Sequence, residues 1–417
     1  MTTRSLSNTK CTTIIPKNSK QNSWTIEVSE GLTQSDWEAW DEFVPDENLM
    51  LKRAYIEGVK HSMQGESAIR FGRILDEGKC LCGAVVVHIA IAESNNLQGN
   101  TEKKNSVLQQ MLIKVLTGNR PLRFRIGSIG NPFASGENGY YFCPRIDTEM
   151  SCQLLYEVLE KTQELEKEQD NSMIAYLVKD FARNSEELEL LGKKGFAEFM
   201  VDPLMVMPIL PSWTNFDDYL ADLVSKFRTK AKSAIKKAAK IEIKAMSAED
   251  IKANKDRFDE LYHNVADKAD FTLGHLHVDS FIQLKEQLNE RFDVYGYYLD
   301  GKLIAFLSGI HHGKLYDAHM IGLDYDYNQE YGLYMNILYK FVDLAIQANA
   351  EKLSYGRTAG EIKSTVGAFP VALSCCVMHA KKGPNLLLRS FFKFVKPQDY
   401  DIRYPYKKGL EVIPPGL

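Results

Sequence analysis

Apolar residues in the first half of the chain alternate in two segments and recur at helical spacing in a third. Residues 69–93 (IRFGRILDEGKCLCGAVVVHIAIAE) predict two strands joined by a turn at 76–78. Residues 150–168 predict a helix, and the short apolar run at 173–178 predicts a buried strand. Strand, strand, helix, strand is therefore the predicted order of the first half.

The second half repeats this order. Residues 291–324 predict three strands with turns at Asp300-Gly301 and Gly313, and residues 328–350 predict one helix. The strand KLSYG follows at 352–356. Because the same succession of elements occurs twice, the sequence indicates an internal duplication with two α/β lobes.

A polar segment precedes the first lobe, and a basic segment separates the two lobes. Pro211 to Lys244 predicts two helices, and the second is rich in lysine. We therefore expect a flexible N-terminal tail, an N-terminal lobe, a basic helical linker and a C-terminal lobe, at residues 1–23, 24–210, 211–244 and 245–417. The basic residues of the second helix are Lys226, Arg228, Lys230, Lys232, Lys236, Lys237 and Lys240.

Bulk composition excludes some classes of protein. The 417 residues carry a formal net charge of −4, so a polyanion could bind only at a local basic patch. No apolar run reaches the roughly 18 residues of a membrane span, and the N-terminus lacks the apolar core of a signal peptide. We therefore expect a cytoplasmic protein. His275-Leu276-His277 and His311-His312 lack a matching set of cysteines or carboxylates, so no metal is expected.

The segment LSYGRTAGEIKSTVGAFP, at 353–370, places charges among glycines directly after a predicted strand. Arg357 and Glu361 could pair with each other while Lys363 is solvated. Alternatively, the glycines bring the backbone close to a ligand, Arg357 and Lys363 neutralise its phosphate or carboxylate, and Glu361 orients them or an amine. The residues alone leave both interpretations open.

Three parts of the chain together carry a family resemblance. They are the opening WDEFVPDENLMLKRAYIEGVKHS (40–62), the linker FDDYLADLVSKFRTKAKSAIKKA (216–238), and a final motif that places Gly, an acidic residue, Lys and Gly-x-x-Pro after a strand. The chain resembles the double-GNAT, Fem-like acyltransferases, and is most similar to the bacterial peptidoglycan biosynthesis or recognition group of N-acyltransferases. The final motif comprises Gly356, Glu361, Lys363, Gly367 and Pro370.

The resemblance implies two tandem GNAT-like lobes, each a mixed sheet flanked by helices. It implies transfer of an acyl group from a thioester, either acyl-CoA or an acyl carrier protein, to a small primary amine, without a metal and without a covalent enzyme intermediate. The alternatives are a Fem-like transferase that takes its acyl group from aminoacyl-tRNA, and a double lobe that binds a ligand without catalysis. The basic linker helix would contact tRNA or a carrier protein.

The strand LYDAHMIGLD supplies candidates for the chemistry of transfer. Such a reaction needs a base for the amine proton, a donor for the developing oxyanion and an acid for the leaving thiolate. Asp317 or His319 could be the base and Tyr316 the acid. A satisfied polar pair inside a sheet is the structural alternative.

The turn before the second long helix is a candidate donor site. GNAT lobes hold the donor pyrophosphate with a Gln/Arg-x-x-Gly-x-Gly/Ala turn at a helix N-terminus, where free N–H groups attract anions. Here Gln329 and Gly332 match, whereas Tyr334 replaces the last small residue and would hinder the usual pose of coenzyme A. The N-terminal lobe has no glycine turn before its helix, so we expect donor binding only in the C-terminal lobe. The loop NPFASGENGYYF, at 131–142, would wall the acceptor pocket.

Overall fold

The computed structural model describes residues 24–63, 67–93, 123–268, 274–392, 400–408 and 410. Their strands form one mixed sheet of 13 strands. In the N-terminal half these are β1 (Thr25–Ser29), β2 (Ala68–Leu75), β3 (Leu81–Glu93), β4 (Arg123–Ile129), β5 (Tyr140–Phe142), β6 (Met173–Ala182) and β7 (Ala197–Pro208). In the C-terminal half they are β8 (Glu242–Ala245), β9 (Phe292–Leu299), β10 (Lys302–His312), β11 (Leu315–Leu323), β12 (Lys352–Ser354) and β13 (Phe369–His379).

Helices cover both faces of the sheet. Those of the N-terminal half are α1 (Gln34–Phe43), α2 (Arg53–Val59), α3 (Thr148–Glu168) and α4 (Glu186–Lys193). Those that follow are α5 (Phe216–Asp222), α6 (Ser225–Lys237), α7 (Ala248–Ala253), α8 (Lys255–Ala266), α9 (Val278–Leu288), α10 (Tyr325–Tyr331), α11 (Leu333–Gln347), α12 (Gly360–Ser364) and α13 (Lys382–Phe392). Within the described residues no helix has both the length and the apolar character needed to cross a bilayer.

The predicted duplication is confirmed by the strand connections. In each half, three antiparallel strands lead into a long helix and then a strand parallel to the third: α3 connects β4 to β6, and α11 connects β11 to β12. A crossover helix is the connection that parallel neighbours require. The architecture is therefore α/β with two tandem lobes of the same topology, each a mixed sheet flanked by helices, as the sequence predicted.

The two lobes exchange their last strands. β7 follows β6 in the chain but pairs with β12 of the second lobe, while β13 inserts between β6 and β7. The order across the sheet is β1-β2-β3-β4-β6-β13-β7-β12-β11-β10-β9-β8, with β5 beside β3. The predicted lobe boundaries stay a prediction, because one continuous sheet crosses them.

Two helical predictions differ from the structure in their details. The helix expected at 328–350 is interrupted at Gly332, whose φ of +61° ends α10 and begins α11. The linker breaks at Leu223 and Val224, which are extended and separate α5 from the basic α6. The N-cap of α1 is Thr33, whose hydroxyl accepts the Asp36 N–H in a capping box.

A large apolar core fixes α11 beneath the C-terminal lobe. Leu333, Ile337, Phe341 and Ala345 recur at helical spacing and are at most 1% exposed. Full burial of each large apolar side chain contributes about 1.5–3 kcal/mol. This packing holds α11 rigidly against β10, β11 and β12, beside the candidate site.

Candidate active site

A cleft of about 720 Å³ lies between the two lobes. Lobe 1 contributes the loop Pro132–Ser135, together with Lys179 on β6, and lobe 2 contributes β11, α11 and the loop after β12. The first residues of the 131–142 loop thus line the cleft between the lobes, and its predicted role as a wall of the acceptor pocket stays a prediction. Apolar side chains line much of the cleft; among them are Phe133, Val265, Met320, Tyr334, Leu338, Phe341 and Tyr355.

The loop after β12 carries the strongest candidate in the cleft. Lys363, on α12, is only 6% exposed, and its Nζ donates to the backbone oxygen of Arg357 at 2.5 Å. Burial lowers the pKa of Lys363 to about 7, because the ammonium loses water and no carboxylate of the described residues compensates for that loss. An ammonium with so little solvation will favour any ligand that brings negative charge to it.

The backbone of this loop is strained. Thr358 and Ala359 have φ values of +63° and +49°, which residues with a Cβ rarely adopt, and both line the cleft. Such strain persists only where the surroundings fix it, and it concentrates at functional sites. Gly356, at φ +71°, begins the turn.

Two other glycines of the 353–370 segment serve packing. A Cβ on Gly360 would lie 2.6 Å from the ring of Tyr400, and one on Gly367 would lie 1.9 Å from the Tyr406 hydroxyl. Only glycine fits at these positions. Close approach to a ligand, the role that the sequence suggested for the glycines, is therefore not needed to explain either residue.

Arg357 joins the lobes through a buried carboxylate. Its guanidinium pairs with Asp180 of β6, which is fully buried and also accepts the Gly136 N–H at 3.0 Å. The Nε atom of Arg357 is buried without a partner, and the residue lines the cleft. The Arg357 guanidinium therefore pairs with Asp180 and still has an Nε–H group that can donate to a ligand. Its pairing with Glu361, one of the alternatives from the sequence, is absent from the described structure, where Glu361 pairs with Arg403 at 2.8 Å.

Lys179 and Asp180 were missed by sequence reasoning. Lys179 is 8% exposed, donates to the Asn131 backbone oxygen at 2.6 Å and lines the cleft. Burial lowers its pKa, although the nearby Asp180 opposes this. The sequence signal for these two residues is the Lys-Asp pair directly after the apolar run MIAYLV, because Lys and Asp are almost never fully buried unless they are paired.

His319 lies in the cleft wall at a β-bulge. Ser308 pairs with Met320 and Gly309 with Ala318, so His319 is the extra residue of β11. Its ring meets Tyr55, Phe281 and Phe292 edge to face, and burial lowers its pKa to about 4. Nε2 is buried without a partner. The imidazole is therefore neutral near pH 7 and can exchange a hydrogen bond, but it holds a proton poorly.

Tyr316 and Asp317 lie outside the cleft lining. Tyr316 is fully buried on the opposite face, where its hydroxyl donates to Asp293 at 2.7 Å and burial raises its pKa well above the usual value. Asp317 bonds His312 Nε2 at 2.8 Å, and His312 Nδ1 meets the Glu47 backbone oxygen at 2.9 Å. Burial would lower the pKa of His312, but Asp317 outweighs it and the pKa is raised. This pair contacts the 46–51 turn of lobe 1.

The donor turn differs from the usual cradle. Gln329 is exposed on α10, and Gly332 lies at the junction of α10 and α11 without lining the cleft. The Tyr334 N–H at the start of α11 is already accepted by the Asn328 side chain at 3.0 Å. The Tyr334 ring lines the cleft, and burial raises its pKa to about 12. The structure thus brings together His319, Tyr334, Arg357 and Lys363 from the predicted set, whereas Tyr316, Asp317, Gln329, Gly332 and Glu361 lie outside the lining.

Comparison with known proteins identifies the second lobe. Residues 225–364 match the family model described as an acetyltransferase (GNAT) domain. The match runs from the first residue of α6 to the last of α12 and so includes Lys363. The chain contains a GNAT domain, and the predicted resemblance to GNAT acyltransferases is confirmed. A search among curated proteins finds no match to the sequence.

The solved structures to which the chain is similar have low sequence identity to it. FemX is 12% identical, with a TM-score of 0.49 over 84% of this chain and 96% of that one. A tandem GNAT protein from the clavulanic acid biosynthesis pathway is 10% identical, with a TM-score of 0.48 over 86% and 100%. L-PGS from Bacillus licheniformis is 8% identical, with a TM-score of 0.44 over 85% and 97%.

Proposed function

We propose that the protein is an N-acyltransferase that moves an acyl group from an acyl thioester, carried by coenzyme A or a carrier protein, to a small primary amine in the cleft between the lobes. The observation that carries the proposal is the desolvated Lys363, which lines this cleft inside the matched GNAT domain. The apolar lining formed by Leu338, Phe341 and Met320 gives an acyl chain somewhere to lie.

Lys363 would stabilise the charge that develops during transfer. When the amine attacks the carbonyl carbon, its oxygen becomes an anion, and a preorganised donor in a site with little water stabilises that anion strongly. The thiolate then leaves as the carbonyl re-forms, and the amine proton must move toward it. No bond to the enzyme forms.

The charges of the cleft favour an anionic substrate. Among the residues that the structure describes, its lining contains Lys179, Lys268, Arg357 and Lys363 but only one carboxylate, Asp202. Lys179 lies in lobe 1 and Lys363 in lobe 2. We therefore propose that lobe 1 holds the amine acceptor through an acidic group, while lobe 2 holds the acyl donor.

One observation favours a macromolecular donor, which is either the carrier protein named above or the alternative donor, aminoacyl-tRNA. Helix α6 packs on the donor turn through the Asn336 side chain, which donates to the Ala234 backbone oxygen at 2.9 Å. The lysines of α6 are exposed, and none of them has an ion pair within the described residues. A basic surface beside the donor turn suits a polyanionic carrier.

The test of the proposal is the variant Lys363→Met, with Lys314→Met, an exposed lysine of the same lobe, as control. Thiol release from short acyl-CoA donors should fall by about 10²–10³-fold in Lys363→Met, which is the cost of losing one oxyanion donor, and should not change in Lys314→Met. An unchanged rate in Lys363→Met would refute the role of Lys363. If the wild type binds these donors but releases no thiol, and transfers nothing from aminoacyl-tRNA, the chain is a binding protein instead.

A further inference from the structure

Three potential metal ligands converge at the rim of the cleft. His263 and Asp267 lie one turn apart on the end of α8, and His275 reaches them from the segment that precedes α9. One ligand atom from each residue lies within 4.8 Å of the other two. His263 Nδ1 is 3.0 Å and His275 Nδ1 4.0 Å from the same oxygen of Asp267.

These separations suit a small divalent ion. Zn²⁺ binds histidine nitrogen at about 2.0–2.1 Å and is mostly tetrahedral, so neighbouring ligand atoms are about 3.3 Å apart. The observed 3.0 and 4.0 Å separations lie on either side of that value. Side-chain exposures of 39–59% allow an ion to reach the ligands without disturbing the core.

Tyr262 holds the two histidines in place. Its ring meets His263 and His275 edge to face, at centroid distances of 5.4 and 6.4 Å. Its hydroxyl accepts the Leu276 N–H at 3.0 Å, which fixes the backbone next to His275. Because Tyr262 is itself 4% exposed, the ligands rest on a buried and rigid support.

A second carboxylate lies beside the cluster, and the neighbouring lysine side chain contacts a different residue. Asp259 lies 3.9 Å from Nε2 of His263, on the side of the ring opposite Asp267. A histidine that ligates through one nitrogen commonly turns its other nitrogen toward a carboxylate. Lys268, the neighbour of Asp267, places its ammonium 3.1 Å from the ring centroid of Tyr325 and so points to another partner.

We propose that His263, Asp267 and His275 form a binding site for a divalent transition-metal ion such as Zn²⁺. Two histidines and one carboxylate leave at least one coordination position open. His275 itself lines the cleft, so the ion would add positive charge at the rim where an anionic substrate enters. The proposal does not depend on the reaction proposed above, and it revises the expectation of no metal that followed from the spacing of His275 and His277.

Direct titration of the metal-free chain with Zn²⁺ and Co²⁺ tests the site. We expect one ion per chain, and Co²⁺ should give the visible absorption of a low-coordinate complex. His263→Ala and His275→Ala should each weaken binding by more than about 100-fold, and Asp259→Asn by about 10-fold, the lower end of the cost of an outer-shell partner.

His277→Ala is the matched control. His277 is as exposed as the proposed ligands and lies 3.2 Å from a carboxylate of Asp279, but it has no third ligand nearby in the described structure. Binding should survive in this variant. Equal Zn²⁺ affinity of the wild type, His263→Ala and His275→Ala would overturn the proposal, and so would the absence of any uptake by the wild type.

Discussion

The two lobes have the same strand connections but differ in the segment that precedes the crossover helix. In lobe 1, the segment between β4 and α3 contains β5, which pairs with β3, and the Asp147 side chain caps α3. In lobe 2, the short α10 and Gly332 precede α11, and the cleft remains open beside it. The difference supports the hypothesis that only lobe 2 binds the donor.

Buried charges follow the same division. In lobe 1, Glu166 is fully buried between Arg70 and Arg125, at 2.7 and 2.8 Å. In lobe 2, Lys363 is buried, and its one partner among the described residues is a backbone oxygen. A buried charge with an ion-pair partner is compensated within the fold. A buried charge without such a partner is unfavourable until a ligand of opposite charge binds. Lobe 1 thus shows how the fold neutralises a buried charge, and lobe 2 shows a departure that suits binding or chemistry.

Breaking the ion pairs of lobe 1 should have the largest effect. Glu166→Gln leaves two guanidinium groups near the core without their carboxylate, and removal of one partner from a buried ion pair costs about 3–5 kcal/mol. The free energy of unfolding, measured in urea, should fall by that amount. Glu361→Gln of lobe 2, which removes an exposed pair with Arg403, should cost about 0–1 kcal/mol. Similar losses in the two variants would contradict the comparison.

The pH dependence of stability should reveal the unpaired lysine of lobe 2. Burial lowers the pKa of Lys363 to about 7, whereas an unfolded lysine titrates near 10.4. Between these values the unfolded chain binds more protons, so the wild type should gain stability as pH rises from 7 to 10, by up to about 1.4 kcal/mol per unit. Lys363→Met should lack this gain, and the control Lys314→Met should keep it.

This measurement compares slopes, so the hydrogen bond that Lys363→Met also loses does not affect the conclusion. Urea unfolding at pH 7, 8 and 9 is sufficient, because the expected difference accumulates to about 2–3 kcal/mol over that range. Parallel curves for the wild type and Lys363→Met would show that Lys363 is fully protonated in the fold. It would then be an ordinary cation.

The sequence predicted the repeated elements because each depends on a local pattern. The alternation in β9 to β11 and the helical spacing of Leu338, Phe341 and Ala345 are local signals. The exchange of β7 and β13 was not predicted, since pairing between strands that lie so far apart in the chain leaves no periodic trace. The motif at 353–370 located Arg357 and Lys363, but the Asp180 that pairs with Arg357 comes from the other lobe.

The proposed metal ligands show the same limit. His263 and Asp267 are one helical turn apart, but His275 joins them only through the return of the chain toward α9. In the sequence, His277 is the histidine nearest to His275. In the structure, its side chain accepts the Asp279 N–H at the start of α9 and does not join the cluster. Proximity in three dimensions, and not spacing along the chain, defines this cluster.

The smallest effect is expected at the basic helix that links the lobes, and it decides which carrier brings the acyl group. Exchange of five basic residues of α6 for glutamine should leave the affinity for a small acyl-CoA nearly unchanged, with a shallow dependence on salt. A tRNA carrier would make several phosphate contacts, and its affinity would fall steeply with salt because counterions are released in proportion to those contacts. The exchanged residues are Lys226, Arg228, Lys230, Lys236 and Lys237.

The assay is donor affinity from low to moderate salt, for the wild type and the five-residue variant, with acyl-CoA and with aminoacyl-tRNA. If the variant transfers the acyl group from acyl-CoA at the wild-type rate, and this rate does not change with salt, tRNA is excluded as the required donor. Helix α6 is then a solvated helix. A steep salt dependence with tRNA that the variant loses, together with no transfer from acyl-CoA, would assign the cleft to the aminoacyl-tRNA reaction. The buried Lys363 would then act on an ester carbonyl in place of a thioester.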